Sequence, residues 1–64
     1  GNSDVYVAGT AVDDFVGRAE DNSVSIRRGE RLWCGEDTGD WIYVQCENGA
    51  LGYVPRNMVK LDSE

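Results

Sequence analysis

The segment Gly52–Val59 (GYVPRNMV) constrains the fold most, because it holds the single proline of this 64-residue chain. A proline ring fixes φ and removes one amide donor, so Pro55 is expected to end a strand and present a rigid apolar face. Trp41 follows the acidic, glycine-containing turn Glu36–Asp40, which predicts that it begins a strand with its indole facing outward. We therefore expect Trp41, Tyr53 and Pro55 to form one exposed aromatic shelf.

The length and the residue pattern predict one small all-β domain. A chain of this size buries about 60% of its unfolded surface, so a single modest core is expected. Short β-rich runs alternate with glycine and acidic turns, and no window shows a sustained helical period. We expect strands near Tyr6–Val12, Glu30–Glu36, Trp41–Glu47, Leu51–Pro55 and Val59–Lys60, with one 3₁₀ turn at Arg56–Met58.

The long segment Phe15–Arg28 exceeds the length of an ordinary loop. Within it, Val24 and Ile26 alternate with serines, which is typical of a half-buried strand. We therefore expect a folded-back hairpin with its tip at Arg18–Asn22.

Alternation also predicts the core and the outer surface. Trp33 is out of phase with its apolar neighbours, so it is expected on the outside, and Gly9 predicts a bulge or a close backbone approach. The expected core consists of small or branched side chains, as a tight barrel interior requires: Ala11, Val24, Ile26, Leu32, Cys34, Val44, Val54 and Val59.

Two cysteines lie on either side of the Glu36–Asp40 turn. If that turn closes a hairpin, Cys34 lies opposite about residue 43, which leaves Cys46 three positions away. Three strand residues span roughly 10 Å, beyond the reach of a disulfide. We therefore predict two free thiols, which favours a reducing, cytoplasmic compartment. Because the chain has no histidine, we expect no metal site, and no cofactor motif is present.

The net charge of −6 disfavours nucleic acid and anionic membranes as partners and favours a basic protein segment. No apolar run is long enough to span a membrane. Catalysis is also disfavoured, because no nucleophile has an evident base and no glycine loop would cradle a phosphate. Asp13 and Asp14 are neighbours in a strand, so they point to opposite faces and do not form a catalytic pair.

Four short sequence blocks, whose order and spacing are informative together, follow one another along the chain: Ala11–Phe15 (AVDDF), Arg28–Leu32 (RGERL), Asp40-Trp41, and Gly49 with Gly52–Val59. Together they resemble the Src homology 3 domain family over roughly Tyr6 to Leu61. The resemblance implies a small five-stranded barrel of two packed antiparallel sheets, with residues 1–5 and 62–64 as tails. It also implies that Phe15–Arg28 is the ligand-contacting RT loop of that family.

The resemblance further implies a monomeric, non-catalytic module that binds basic, proline-containing (PxxP) peptides in a scaffold or signalling protein. Such peptides form a polyproline helix that docks in aromatic-lined grooves at low entropic cost. Phe15, Trp41, Tyr53 and Pro55 match the groove positions, and Asn57 matches the side chain that hydrogen-bonds the ligand backbone. Five acids would flank the pocket for a ligand Arg or Lys: Glu20, Asp21, Glu36, Asp37 and Asp40.

Two positions depart from the family pattern. Asp13 and Met58 replace the tyrosines that form the first proline-accepting slot. Methionine still offers an adaptable apolar contact, whereas a carboxylate cannot stack on a proline ring. An alternative is therefore an atypical member of that family. Such a domain would bind a motif without PxxP, bind the surface of a folded protein, or pack against another part of the protein to which it belongs. A Tudor-like methyl-lysine reader is a further alternative, which the Pro55 block fits poorly.

Overall fold

The computed structural model describes residues 6–63, and the predicted tail 1–5 lies outside them. The elements are five strands and two 3₁₀ turns: β1 (Val7–Ala11), η1 (Ala19–Asp21), β2 (Arg31–Asp37), β3 (Trp41–Cys46), β4 (Leu51–Pro55), η2 (Arg56–Met58) and β5 (Val59–Leu61). The predicted all-β class, the five strands and the 3₁₀ turn at η2 are confirmed. The turn η1, at the tip of the long loop, was not predicted.

The five strands form one antiparallel sheet in the order β4-β3-β2-β1-β5. The prediction of a small barrel of two packed sheets is therefore wrong, because the strands form a single sheet that does not close. The three residues of η2 carry the chain from one edge strand to the other, and no ladder joins β4 to β5 within residues 6–63. The single sheet nevertheless encloses a core, since Val54 of β4 and Val59 of β5 belong to the same buried cluster.

The core lies on the inward face of this sheet. It contains Ala11, Ile26, Leu32, Cys34, Ile42, Val44, Cys46, Val54 and Val59. All the predicted core residues are among them except Val24, which is half-buried and packs against the cluster from the long loop. Ile42 and Cys46 were not predicted, although both share the alternation of Val44. Trp33 lies on the outer face as predicted and is 41% exposed.

A register shift between Cys34 and Asp37 changes the predicted pairing of β2 with β3. Cys34 lies opposite Val44 instead of residue 43, and Cys46 lies opposite Leu32. An irregularity of this kind adds a residue to one strand and increases the local twist. Both cysteines are free and Cys34 is buried, as predicted; Cys46 is buried as well, and burial raises the pKa of each thiol.

β1 pairs with β2 on one side and with β5 on the other. A Cβ on Gly9 would lie 3.0 Å from the Cys34 sulfur and 3.1 Å from the Lys60 carbonyl oxygen. The pairing of β1 shows no shift at this point, so the glycine serves a close approach and not a bulge. Beyond β5, the N–H of Asp62 donates to the carbonyl of Ala8 at 2.9 Å, so the pairing continues into the predicted tail.

Candidate functional site

Trp41 is the centre of an exposed aromatic group. It begins β3 as predicted, lies opposite Pro55 of β4, and is 39% exposed. The ring of Phe15 meets it edge-on, with centroids 6.3 Å apart and planes at 72°, which is a favoured geometry for aromatic pairs. Two backbone hydrogen bonds of 2.9 Å between Phe15 and Ile26 fix the base of the long loop. The structure thus brings together three of the residues that the sequence singled out.

The outward faces of β3 and β4 continue this group as a ladder of cross-strand pairs. Trp41 faces Pro55, Tyr43 faces Tyr53, and the next pair is Gln45 with Leu51. The two tyrosine rings meet edge-on, with centroids 5.0 Å apart. Tyr53 therefore lies one step along the ladder from Trp41, and the shelf includes Tyr43, which sequence reasoning missed.

Trp41 lines two clefts and separates them. The first cleft, of about 630 Å³, lies between η2 and the turn before β3, and Asp37, Asp40, Pro55, Arg56 and Asn57 are among its lining residues. The second cleft, of about 270 Å³, is lined by Asp21, Asn22, Thr38, Trp41 and Tyr53. One indole thus forms a wall of both clefts.

The tip of the long loop is bonded directly to β4. The N–H of Tyr53 donates to the carbonyl of Asn22 at 2.8 Å, and the N–H of Val24 donates to the carbonyl of Tyr53 at 3.1 Å. Asn22 adopts a left-handed conformation (φ 56°), which asparagine tolerates better than most residues. A Cβ on Gly52 would lie 2.9 Å from the Val24 side chain, so this glycine permits the close approach.

The predicted acids at the loop tip, Glu20 and Asp21, lie in η1 and are exposed. Below them, the Ser23 hydroxyl accepts from the N–H of Arg18 at 2.6 Å and donates to its carbonyl at 3.1 Å. The predicted hairpin tip at Arg18–Asn22 is confirmed. Asp21 lines the second cleft, whereas Glu20 lines neither of the clefts that meet at Trp41.

Asp37, a predicted ligand-binding acid, bonds within the protein. Its carboxylate accepts from the N–H of Gly39 at 2.8 Å and from Nε of Arg56 at 3.0 Å. The Gly39 amide, and after it the Arg56 guanidinium, hold the pKa of Asp37 below its usual value. Arg56 also donates to the carbonyl of Val59 at 2.8 Å, so its side chain links the end of β2, through Asp37, to the start of β5.

Two other acids border the turn before Trp41. Glu36 accepts from the hydroxyl of Tyr53 at 3.3 Å, and its negative charge raises the pKa of that tyrosine. Asp40 is exposed and lines the first cleft. Thr38, which sequence reasoning missed, donates its hydroxyl to the Trp41 carbonyl at 3.0 Å and lines the second cleft.

Asp13 and Met58, the residues predicted to alter the first proline-accepting slot, lie at or beside η2. The N–H of Val12 donates to the carbonyl of Met58 at 2.8 Å, so the chain just before Asp13 runs beside η2. Asp13 is exposed, and its carboxylate accepts from the N–H of Asp14 at 2.8 Å. Met58 is half-buried against the core. Neither Asp13 nor Met58 lines the clefts at Trp41.

Comparisons with known proteins do not identify a family for this chain. No protein-family model matches the chain, and no curated protein matches it. Over residues 6–63, no helix is long and apolar enough to cross a membrane, and no group of three or more His, Cys, Asp or Glu could hold a metal ion.

Proposed function

We propose that this protein is a non-catalytic interaction module of the Src homology 3 type that binds basic, proline-containing peptide segments. We propose further that it acts as a monomer within a cytoplasmic scaffold or signalling protein. One observation carries the proposal: an exposed Trp41 stands against the edge of Phe15 and opposite Pro55, and it divides two clefts.

This arrangement suits a polyproline ligand for a physical reason. Such a peptide is already extended and has no internal hydrogen bonds, so it loses little entropy when it docks. A ligand proline would pack on the ring faces of Trp41 and Phe15 beside Pro55. The exposed amide of Asn57, in the first cleft, would hydrogen-bond the ligand backbone. Because the group is fixed by strands and by the bonds of Phe15, little ordering is required on binding.

The second cleft would receive a ligand Arg or Lys. Asp21 lines it together with two aromatic residues, Trp41 and Tyr53. A charge-assisted hydrogen bond to Asp21 and a cation–π contact with the indole would then act on one guanidinium. Glu36 and Asp37 are already engaged within the protein, so Asp21 is the proposed principal partner. The remaining negative charge would mainly raise the association rate.

The test compares two tryptophans of nearly equal exposure, Trp41 at 39% and Trp33 at 41%. We expect Trp41→Ala to weaken binding of an Arg-flanked PxxP peptide by at least ~2 kcal/mol, as for an interface hot spot. Trp33→Ala, on the outer face of β2, should leave affinity unchanged. Isothermal titration calorimetry gives the affinities, and circular dichroism checks the fold. Equal affinities for the two variants would remove Trp41 from the site.

A second candidate function, binding of an atypical ligand, is favoured by Asp13. This carboxylate is exposed beside η2, where the family pattern has a tyrosine. A ligand with Arg or Lys at that end would pair with Asp13, whereas a second proline would lack a ring to pack on. The preferred sequence would then carry one proline and two basic residues.

Restoring the tyrosines separates the two candidates. The double change Asp13→Tyr with Met58→Tyr should strengthen binding of an ordinary PxxP peptide by ~1–2 kcal/mol, a factor of about 5 to 30. A titration of one peptide against both proteins measures this change. Equal affinities would mean that Asp13 and Met58 do not impair the slot, and the atypical ligand would lose its support.

A further inference from the structure

A third cleft, of about 500 Å³, adjoins the second one on the side away from Trp41. Asn22 and Tyr53 line both of these clefts, so Tyr53 separates the second from the third much as Trp41 separates the first from the second. The third cleft follows the β3–β4 ladder beyond the aromatic group. Its other walls include Tyr43, Leu51 and Ala19 of η1.

The chemistry of the third cleft differs from that of the second. Its lining residues are uncharged, whereas Asp21 lines the second cleft. Leu51 is 53% exposed, and the ring of Tyr43 meets that of Tyr53 edge-on at 5.0 Å. The lining is mixed, since Asn22 and Ser23 are polar. Its apolar part, Leu51 with the two aromatic rings, favours a large apolar side chain as the occupant.

The walls of the third cleft are formed before any ligand binds. The long loop is fixed to β4 by the hydrogen bonds of Tyr53 with Asn22 and Val24. Tyr43 and Tyr53 are paired across two strands. A ligand side chain would therefore enter without ordering a loop. Most of the free energy gained by burying that side chain would then contribute to the affinity.

We propose that the third cleft is an additional subsite for a large aliphatic or aromatic side chain of the same peptide, beyond the basic residue. The inference rests on the proposed function. Leu51 lies opposite Gln45, four residues along β3 from Trp41, which corresponds to about 14 Å. An extended ligand advances about 3.3 Å per residue, so the apolar side chain would lie about four residues beyond the one packed on Trp41.

The experiment uses peptides that share one Arg-flanked PxxP core. To one set, a leucine is added four residues beyond the proline nearest the arginine, and to a matched set a serine is added there. Both sets are made in two versions, with the arginine at the amino or the carboxyl end of the core and the addition always on the side of the arginine, so that either chain direction is covered. We expect one leucine peptide to bind the wild type about tenfold more tightly than its serine counterpart, the lower end of what burying a leucine provides.

Two variants assign this gain to the third cleft. Leu51→Ser should abolish it and leave the affinity for the core peptide unchanged, because Leu51 lines neither cleft at Trp41. Leu51→Met should retain most of the gain, since it keeps an apolar contact. If leucine and serine peptides bind equally, or if the gain survives Leu51→Ser, the subsite is refuted while core binding still supports the proposed function. If no peptide binds the wild type, both proposals fall.

Discussion

Two regions flank Trp41, and an ion pair helps to hold one of them. The long loop, Phe15–Arg28, reaches β4 through backbone hydrogen bonds and close contacts at glycines. The short turn Thr38–Asp40 is held on the other side by backbone hydrogen bonds of Thr38 with Trp41 and of Asp40 with Arg56. The carboxylate of Asp37 adds bonds to Gly39 and Arg56.

The difference bears on the second cleft, which both regions line. Asp21 and Asn22 come from the long loop, and Thr38 comes from the short turn. Backbone hydrogen bonds and close packing change little with salt or pH, whereas an exposed ion pair is screened by salt and lost when the carboxylate is protonated. The wall of the second cleft that Thr38 supplies therefore belongs to a turn whose stability depends in part on the ionised carboxylate of Asp37.

The largest expected effect comes from adding a methyl group between the two arms of the long loop, at Gly17. A Cβ on Gly17 would lie 2.4 to 2.6 Å from backbone atoms of Val24, so Gly17→Ala must displace the loop. We expect the free energy of unfolding to fall by about 3 kcal/mol, at the upper end for overpacking. Urea denaturation measures it.

Gly39→Ala, in the short turn, is the matched change. Its φ of 102° strains an alanine, but no heavy atom lies within 4 Å of the new Cβ. The expected loss is about 1 kcal/mol, from conformational strain alone. A loss at Gly39 as large as that at Gly17 would contradict the comparison.

An intermediate effect is expected when the pH is lowered. The pKa of Asp37 in the folded protein lies below its unfolded value of about 3.9, so its contribution to stability is fully present above about pH 4. That contribution is lost as the pH falls through the folded pKa. The difference in stability between the wild type and Asp37→Asn should therefore shrink from pH 6 to pH 2. A constant difference would show that the Asp37 charge does not hold the turn.

The smallest expected effect concerns the hydrogen bond from the Tyr53 hydroxyl of β4 to the Glu36 carboxylate of β2. Glu36 raises the pKa of Tyr53, so the stabilisation from neutral Tyr53 is present below about pH 10 and is lost as the pH rises through the folded pKa. Glu36→Gln should lower the pKa of one tyrosine in an absorbance titration. Tyr53→Phe identifies that tyrosine by removing its step. An unchanged titration in Glu36→Gln would exclude the contact.

Local patterns in the sequence predicted much of the fold. Alternation placed Leu32, Cys34 and Val54 in the core and Trp33 on the outside, and each position is confirmed. The same rule, carried on from Val44, would also have found Ile42 and Cys46. Pro55 ends β4 as predicted, because a proline cannot continue the ladder.

Features that depend on distant residues were not predictable in this way. The bond between Arg56 and Asp37 joins η2 to the end of β2, and no local pattern signals it. The single open sheet depends on how η2 positions two edge strands, and the register of β2 depends on one irregularity. The candidate site was predicted as a set of residue types, but which acids are already bonded within the protein could be seen only from the structure.

The pairing of β1 with β5 has a mechanical consequence. The strands are antiparallel, with Gly9 opposite Leu61 and Ala11 opposite Val59, so the start of β1 and the end of β5 leave the sheet side by side. Tension applied through these two ends acts across the ladder and not along it. The hydrogen bonds would therefore break one after another, beginning with the bond from Asp62 to Ala8. A small pulling force should thus detach β5 before it disturbs the strands that carry Trp41 and Pro55.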